Sequence, residues 1–173
     1  MRGQKKPSDS RVIMTEMVMP NDTNVLNNLM GGRLMHLMDV VAAISAQRHS
    51  NRVVVTASVD NVSFAKSIKL GSVITLTATV TRAFSSSMEV HILVDAEDIP
   101  GREKFKSNEA FFTFVAVDQL GNPIDVPELI PEDEGEKSLY DGALRRRQLR
   151  LVLAGKMSPN EATELKSLFD LEI

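Results

Sequence analysis

Residues 31–50 read GGRLMHLMDVVAAISAQRHS, and the rest of the chain is arranged around what this stretch needs. Two glycines open it. Leu34, Met35, Leu37, Met38, Val40, Val41, Ala42, Ala43, Ile44 and Ala46 then fall on nearly every side of a helix, and Gln47, Arg48, His49 and Ser50 close it. A helix that is apolar all round is a buried one. Something large must cover it.

The flanking stretches supply the cover. Upstream, RVIMTEMVM at 11–19 is rich in apolar and β-branched residues and predicts a first strand. Pro20, Asn21, Asp22 and Asn24 follow as turn chemistry. Downstream, four runs at 52–65, 72–82, 87–95 and 109–118 read as strands. In the second, Ile74, Leu76, Ala78 and Val80 alternate with threonines; in the third, Met88, Val90, Ile92 and Val94 alternate with Glu89, His91, Leu93 and Asp95. Such alternation marks strands with one covered face. The order strand, helix, four strands predicts an α+β fold, a curved antiparallel sheet wrapped around one long helix. One chain covers such a helix poorly, so two sheets should pair edge to edge.

Working further outward, MRGQKKPSDS at 1–10 is polar, and with Arg2, Lys5 and Lys6 it reads as a disordered basic tail. After Pro131 the composition changes. Glu132, Asp133, Glu134 and Glu136 open a helix predicted near 132–153, and Arg145, Arg146, Arg147 and Arg150 sit in its second half, as the helix dipole favours. Ser158, Pro159 and Glu161 are the start signals of a last short helix, with Ala162, Leu165, Leu168 and Phe169 on one face. The expected divisions are a tail at 1–10, the sheet-and-helix domain at 11–131 and a helical extension at 132–173.

Composition removes several functions. Twenty basic residues against 23 acidic ones, in 173, leave a net charge of −3, which argues against a dedicated nucleic-acid binder. The chain has no cysteine, which excludes disulfides, thiol nucleophiles, iron–sulfur clusters and Cys-ligated zinc; it is compatible with the cytoplasm, the expected location. No apolar run approaches the ~18–20 residues of a membrane helix. No HxxxH, GxGxxG, P-loop or GxSxG pattern occurs, so no metal, dinucleotide or serine-hydrolase chemistry is expected.

Asp39 stands out, a carboxylate inside an otherwise apolar helix. Burying it without a partner costs several kcal/mol, so it is either a general base or nucleophile, or a structural group paired with Arg33. Gly31-Gly32 at the helix start leave free amides open to an oxyanion, or simply make a tight turn. Gly32 and Asp39 lie on a similar face but ~10 Å apart along the axis. One small carbonyl cannot touch both, so if they act together they come from two subunits. Asn24 either orients water or a carbonyl, or builds an Asx turn. His36, His49 and His91 are scattered. Methionines at 14, 17, 19, 30, 35 and 38 suit either an adaptable acyl pocket or plain core filling.

Taken together, these pieces resemble the acyl-CoA hydrolase (thioesterase) family with the hotdog fold, in its cytosolic, brain acyl-CoA hydrolase-like branch. The matching residues are MPNDTNVLNNLMGGRLMHLMDVVAAISAQRH at 19–49, VVTASVDNVSF at 54–64, Lys69-Leu70-Gly71, Ser87 to Val90, and FTFVAVDQLGNPIDVP at 112–127. The resemblance implies hydrolysis of fatty acyl-CoA to free acid and CoA without a cofactor. It implies catalytic roles for Asp39 and Asn24, and backbone donors at Gly31 and Gly32. It implies a site between two hotdog units, in homodimers assembled as a hexamer, a trimer of dimers. The chain departs from the family in having Met30 where many members carry a histidine. Lys66, Ser86, Ser87, Arg145 and Arg146 are the expected neighbours of CoA. Two rivals share the ligand class: a hotdog hydratase or dehydratase, which needs a histidine paired with the acid, and a non-catalytic acyl-CoA sensor.

Overall fold

The alternating runs become one five-stranded antiparallel sheet in the order β2-β4-β5-β6-β3. The computed structural model describes residues 3–60, 62, 64 and 66–168, and the chain divides into two compact units, Met1–Ile130 and Pro131–Ile173. The first holds β1 (Gln4–Lys5), α1 (Pro7–Ser10), β2 (Val12–Met17), α2 (Gly31–Ser50), β3 (Val53–Asp60), β4 (Val73–Ala83), β5 (Ser87–Asp98), β6 (Glu103–Val117) and β7 (Glu128–Leu129). The second holds α3 (Glu134–Leu153) and α4 (Thr163–Lys166). Among the described residues, no helix is long and apolar enough to cross a membrane.

The inward rows explain the packing. Leu76, Ala78 and Val80 of β4 stand beside Val94, Ile92 and Val90 of β5, which stand beside Asn108, Ala110 and Phe112 of β6. All are buried, and α2 lies against this sheet. From α2 come Leu34, Leu37, Met38, Val41, Ala42 and Ala46, a stripe at helical spacing. The expected all-round burial of α2 is not met. Met35, Asp39, Val40 and Ala43 are only half-buried and Ile44 is exposed. Five strands of one chain enclose one side of the helix and no more.

The helix spans 31–50 as read. The strands differ at their ends: β3 stops at Asp60 rather than 65, and β6 begins at Glu103 rather than 109. The early start of β6 is hidden by a bulge. Val94 pairs with Asn108 but Asp95 pairs with Lys106, so Ser107 is an extra residue and the alternation changes phase there.

The expected basic tail is a correction. Residues 4–10 are ordered, because their polar groups have distant partners. β1 pairs with β7 in parallel, Gln4 beside Glu128 and Lys5 beside Leu129. Lys5 Nζ donates to Arg48 O at 2.5 Å and to Asn51 Oδ1 at 3.2 Å. Ser10 is fully buried; its hydroxyl accepts the Val80 N–H at 3.1 Å and donates to Pro7 O at 2.9 Å. Arg2 lies outside the described residues.

In the second unit, Asp133 caps α3 by accepting the Glu136 N–H at 2.8 Å. Ser158 and Glu161 form the expected capping box, but on a single 3-10 turn at Pro159–Glu161 that precedes the short α4. Of the face predicted there, Ala162 is buried and Leu168 is exposed, while Phe169 lies outside the described residues.

Candidate functional site

The site begins with the loop that carries the chain from β2 into α2. Asp22 organises it. Its Oδ2 accepts the Met19 N–H at 3.0 Å, its Oδ1 accepts from Arg33 Nε at 2.8 Å, and its carbonyl accepts the Met30 N–H at 2.9 Å. The Met19 N–H above all, with Arg33 adding to it, holds the Asp22 carboxyl below its ordinary value, against a small opposing effect of burial. Arg33 therefore belongs to Asp22 and not to Asp39.

Asn24 serves the loop and remains available to a ligand. Its Oδ1 accepts the N–H groups of Leu26 at 2.9 Å and Asn28 at 3.2 Å, an Asx turn that carries Asn27 into the left-handed region at φ 57°. Among the described residues, no hydrogen bond reaches its Nδ2. The turn thus aims a donor, not an acceptor, outward.

The first turn of α2 has no side-chain cap, and its amides have no partners within the helix. Neither Gly31 nor Gly32 has a positive φ. A Cβ on Gly32 would meet nothing within 4 Å, and one on Gly31 would only touch the Phe64 ring at 3.5 Å. The chain itself does not require glycine at either position. What the missing side chains provide is access to the amides from outside, at the positive end of the helix dipole.

Two turns along, Asp39 is held by a residue that sequence reading missed. Thr56 of β3 donates from Oγ1 to Asp39 Oδ1 at 2.7 Å. Thr56 stands on an edge strand at the start of a register shift between Thr56 and Ser58. Nothing local in RVVVTASVD marks it, since its partner is 17 residues away; it was expected only within 54–57, among neighbours of CoA. Among the described residues, no hydrogen bond reaches Asp39 Oδ2.

Asn24 and Gly31 meet at a cavity of about 190 Å³, bordered also by Leu34, Phe64, Ile68 and Asn108. Lys66 is on its rim, paired with Glu103 at 2.5 Å and lying over the Phe105 ring at 3.8 Å. Asp39 and Thr56 do not line it. One chain therefore carries two half-sites, a donor-rich cavity at the start of α2 and a carboxylate two turns on.

The other expected residues are elsewhere. Ser86 and Ser87 form the β4–β5 turn, where their carbonyls accept the N–H groups of Ala116 at 2.9 Å and Phe84 at 2.8 Å. Arg145 and Arg146 lie on α3 in the second unit, and Arg146 donates to Leu139 O at 2.8 Å. His36 is exposed. His49 is fully buried, its Nε2 2.8 Å from Pro127 O and its Nδ1 without a partner; burial, the largest influence, pushes its pKa down. His91 does pair with an acid, Glu109, at 2.6 Å, and stacks on Phe111, but on the row of β5 opposite the one facing α2. Lys106, more than His91, holds the Glu109 carboxyl below its ordinary value. Among the described residues, no three metal-ligating side chains cluster.

Residues 26–101 match the family model of the thioesterase superfamily. Over 142 residues the chain is 42% identical to an acyl-CoA thioester hydrolase of Bacillus subtilis, covering 82% of this chain and 83% of that protein. An acyl-CoA hydrolase from Staphylococcus aureus, solved with butyryl coenzyme A, coenzyme A and coenzyme A disulfide, is 38% identical with a TM-score of 0.80, covering 88% of this chain and 95% of that one. An apo-hexameric acyl-CoA thioesterase is also 38% identical, with a TM-score of 0.85 over 88% of this chain and 97% of that one. The Staphylococcus aureus hydrolase has been solved, too, with an asparagine, an aspartate and a threonine each replaced by alanine. In that chain the aspartate follows the asparagine by 15 positions and the threonine follows the aspartate by 17, the same intervals that separate Asn24, Asp39 and Thr56.

Proposed function

The chain belongs to the thioesterase superfamily, among the acyl-CoA hydrolases with the hotdog fold, and from that premise we propose how its residues divide the hydrolysis of an acyl-CoA to a carboxylic acid and coenzyme A. The observation that carries the proposal is the separation of the two half-sites. The Asn24–Gly31 cavity excludes Asp39, and the Asp39–Thr56 pair lies two helical turns away. A second copy, running antiparallel, brings the Asp39 of one subunit to the cavity of the other.

The thioester carbonyl oxygen sits at the start of α2. Asp39, with Oδ1 held by Thr56, takes a proton from water through Oδ2. The water oxygen bonds to the carbonyl carbon, and the displaced electron pair moves onto the carbonyl oxygen. The amides of Gly31 and Gly32 and the Asn24 Nδ2 stabilise that oxyanion. As the carbonyl re-forms, the C–S bond breaks and the departing thiolate takes the proton back from Asp39. Water is the only co-substrate, and no metal or cofactor takes part.

The exposed apolar surface supports pairing of copies. Val53, 66% exposed, with Val55 and Val59, lines the free edge strand β3, beside the uncovered side of α2. We place a homodimer there and a hexamer, as a trimer of dimers, above it. The cysteine-free composition suits a reducing compartment, and cytoplasmic action is part of the same proposal.

Mixing two inactive variants tests the shared site. Asn24→Ala and Asp39→Asn are each unfolded, combined and refolded together, and thiol release from an acyl-CoA is followed. Heterodimers hold one intact site, from the Asn24 of one chain and the Asp39 of the other, so activity reappears. A mixture as inactive as its components, although heterodimers form, overturns the division between subunits.

A further inference from the structure

One residue of the cavity is unexplained by the mechanism. The inward row of β6 runs Ala116, Phe114, Phe112, Ala110 and then Asn108, so a row of apolar side chains ends in an amide. Asn108 is 4% exposed and lines the cavity. The bulge at Ser107 comes immediately before it, and the Ser107 hydroxyl donates to Asn108 Oδ1 at 2.5 Å. A bulge re-aims the side chains beside it, and here it secures a polar group in a buried position.

The walls of the cavity differ with depth. Asn24, Phe64 and Lys66 are exposed and form the rim, and Gly31 is half-buried. The floor consists of the three buried lining residues, Leu34, Ile68 and Asn108. Whatever group enters past Gly31 therefore ends against two aliphatic side chains and one amide. A methyl-terminated chain long enough to reach the floor strips water from that amide and returns no hydrogen bond, which opposes its binding. Size acts in the same direction: a cavity of ~150 Å³ holds benzene, with its six carbons, and this one measures about 190 Å³.

Resting on the thioesterase reading, we infer that this cavity receives the acyl chain, that it suits short acyl groups of about four to eight carbons, and that Asn108 is the residue that sets the limit. Asn108 touches the far end of the acyl group and not the reacting atoms, so it governs which thioester is cleaved and not how.

The experiment measures kcat/KM on acetyl-, butyryl-, octanoyl-, lauroyl- and palmitoyl-CoA, for the wild-type assembly, Asn108→Ala and Asn108→Leu. Wild type is expected to favour butyryl- or octanoyl-CoA over palmitoyl-CoA by about tenfold or more, the discrimination a few methylenes provide. Asn108→Ala deepens the floor and removes the amide, and should raise the lauroyl-to-butyryl ratio about tenfold. Asn108→Leu removes the amide without deepening the floor, and should raise octanoyl over butyryl while palmitoyl stays poor. Each value is a ratio within one preparation, so a variant that folds in low yield still reports. Hydrolysis by wild type with a ratio unchanged in both variants overturns the assignment of Asn108. A wild type that prefers palmitoyl-CoA overturns the size limit. A wild type that cleaves no thioester of any length brings down the thioesterase reading itself.

Discussion

The two ends of α2 are built to opposite specifications. At its C-terminal end every available group is engaged: Asn51, in the left-handed conformation, donates its N–H to Gln47 O, Lys5 Nζ reaches Arg48 O, the Ser50 hydroxyl donates to Ala46 O, and His49 binds Pro127 O. At its N-terminal end there is no side-chain cap, no side chain on two successive residues, and a cavity beside them. The same helix is anchored at one end and left open at the other. Chemistry is possible at the open end because stability does not depend on it.

That contrast can be broken most severely at Asp39. Asp39→Asn keeps the shape and removes the base, and turnover should fall by at least ~100-fold while the thermal midpoint stays put. Thiol release and a melting curve on one preparation check it, and a variant retaining nearly full turnover refutes the role. A smaller change sharpens the contrast further. Gly32→Ala places a methyl where this chain has nothing within 4 Å, so the helix should gain up to about 1 kcal/mol from the lost backbone freedom. The same methyl crowds the carbonyl approaching the amides, and kcat/KM should fall about tenfold, less than the ~10²–10³ expected for losing a donor outright. Stability up and activity down in one variant is the expected signature; both unchanged would show that the amides are not used.

The smallest effect belongs to the anchored end. His49 titrates below its ordinary 6.5 because burial disfavours its charged form. The unfolded chain therefore binds the extra proton first. The stability that His49 contributes is complete above about pH 6.5 and is lost as pH falls toward its folded value. Denaturant unfolding of wild type and His49→Leu between pH 8 and pH 5 should show a shallower acid-side decline in the variant. Parallel curves would remove His49 from the account.

Legibility in the sequence followed locality. The limits of α2 were readable because a glycine pair and a polar run bound it, and β4 and β5 because their alternation is unbroken. The first half of β6 was not, since the extra residue at Ser107 reverses the alternation halfway along. The opening segment was misread because Lys5 and Ser10 owe their order to Arg48 and Val80, far away in the chain. At the site, Asp39 was conspicuous as the lone acid of an apolar helix. Thr56 and Asn108 were not, because a threonine among valines and an asparagine after a serine acquire meaning only from what the fold sets against them. Asn24 illustrates a different limit. The two readings open for it were posed as alternatives, while the side chain assigns its oxygen to the turn and keeps its nitrogen free.

The pairing of β1 with β7 has a mechanical consequence. The two strands are parallel, tied by Glu128 N–H to Gly3 O and by Ile130 N–H to Lys5 O. Tension applied ahead of Gln4 and beyond Leu129 would run along both strands in opposite senses, loading the two bonds together in shear rather than peeling them one after the other. A pull on the chain therefore meets this short clasp first, and the five-stranded sheet with its helix bears no load until the clasp has slipped.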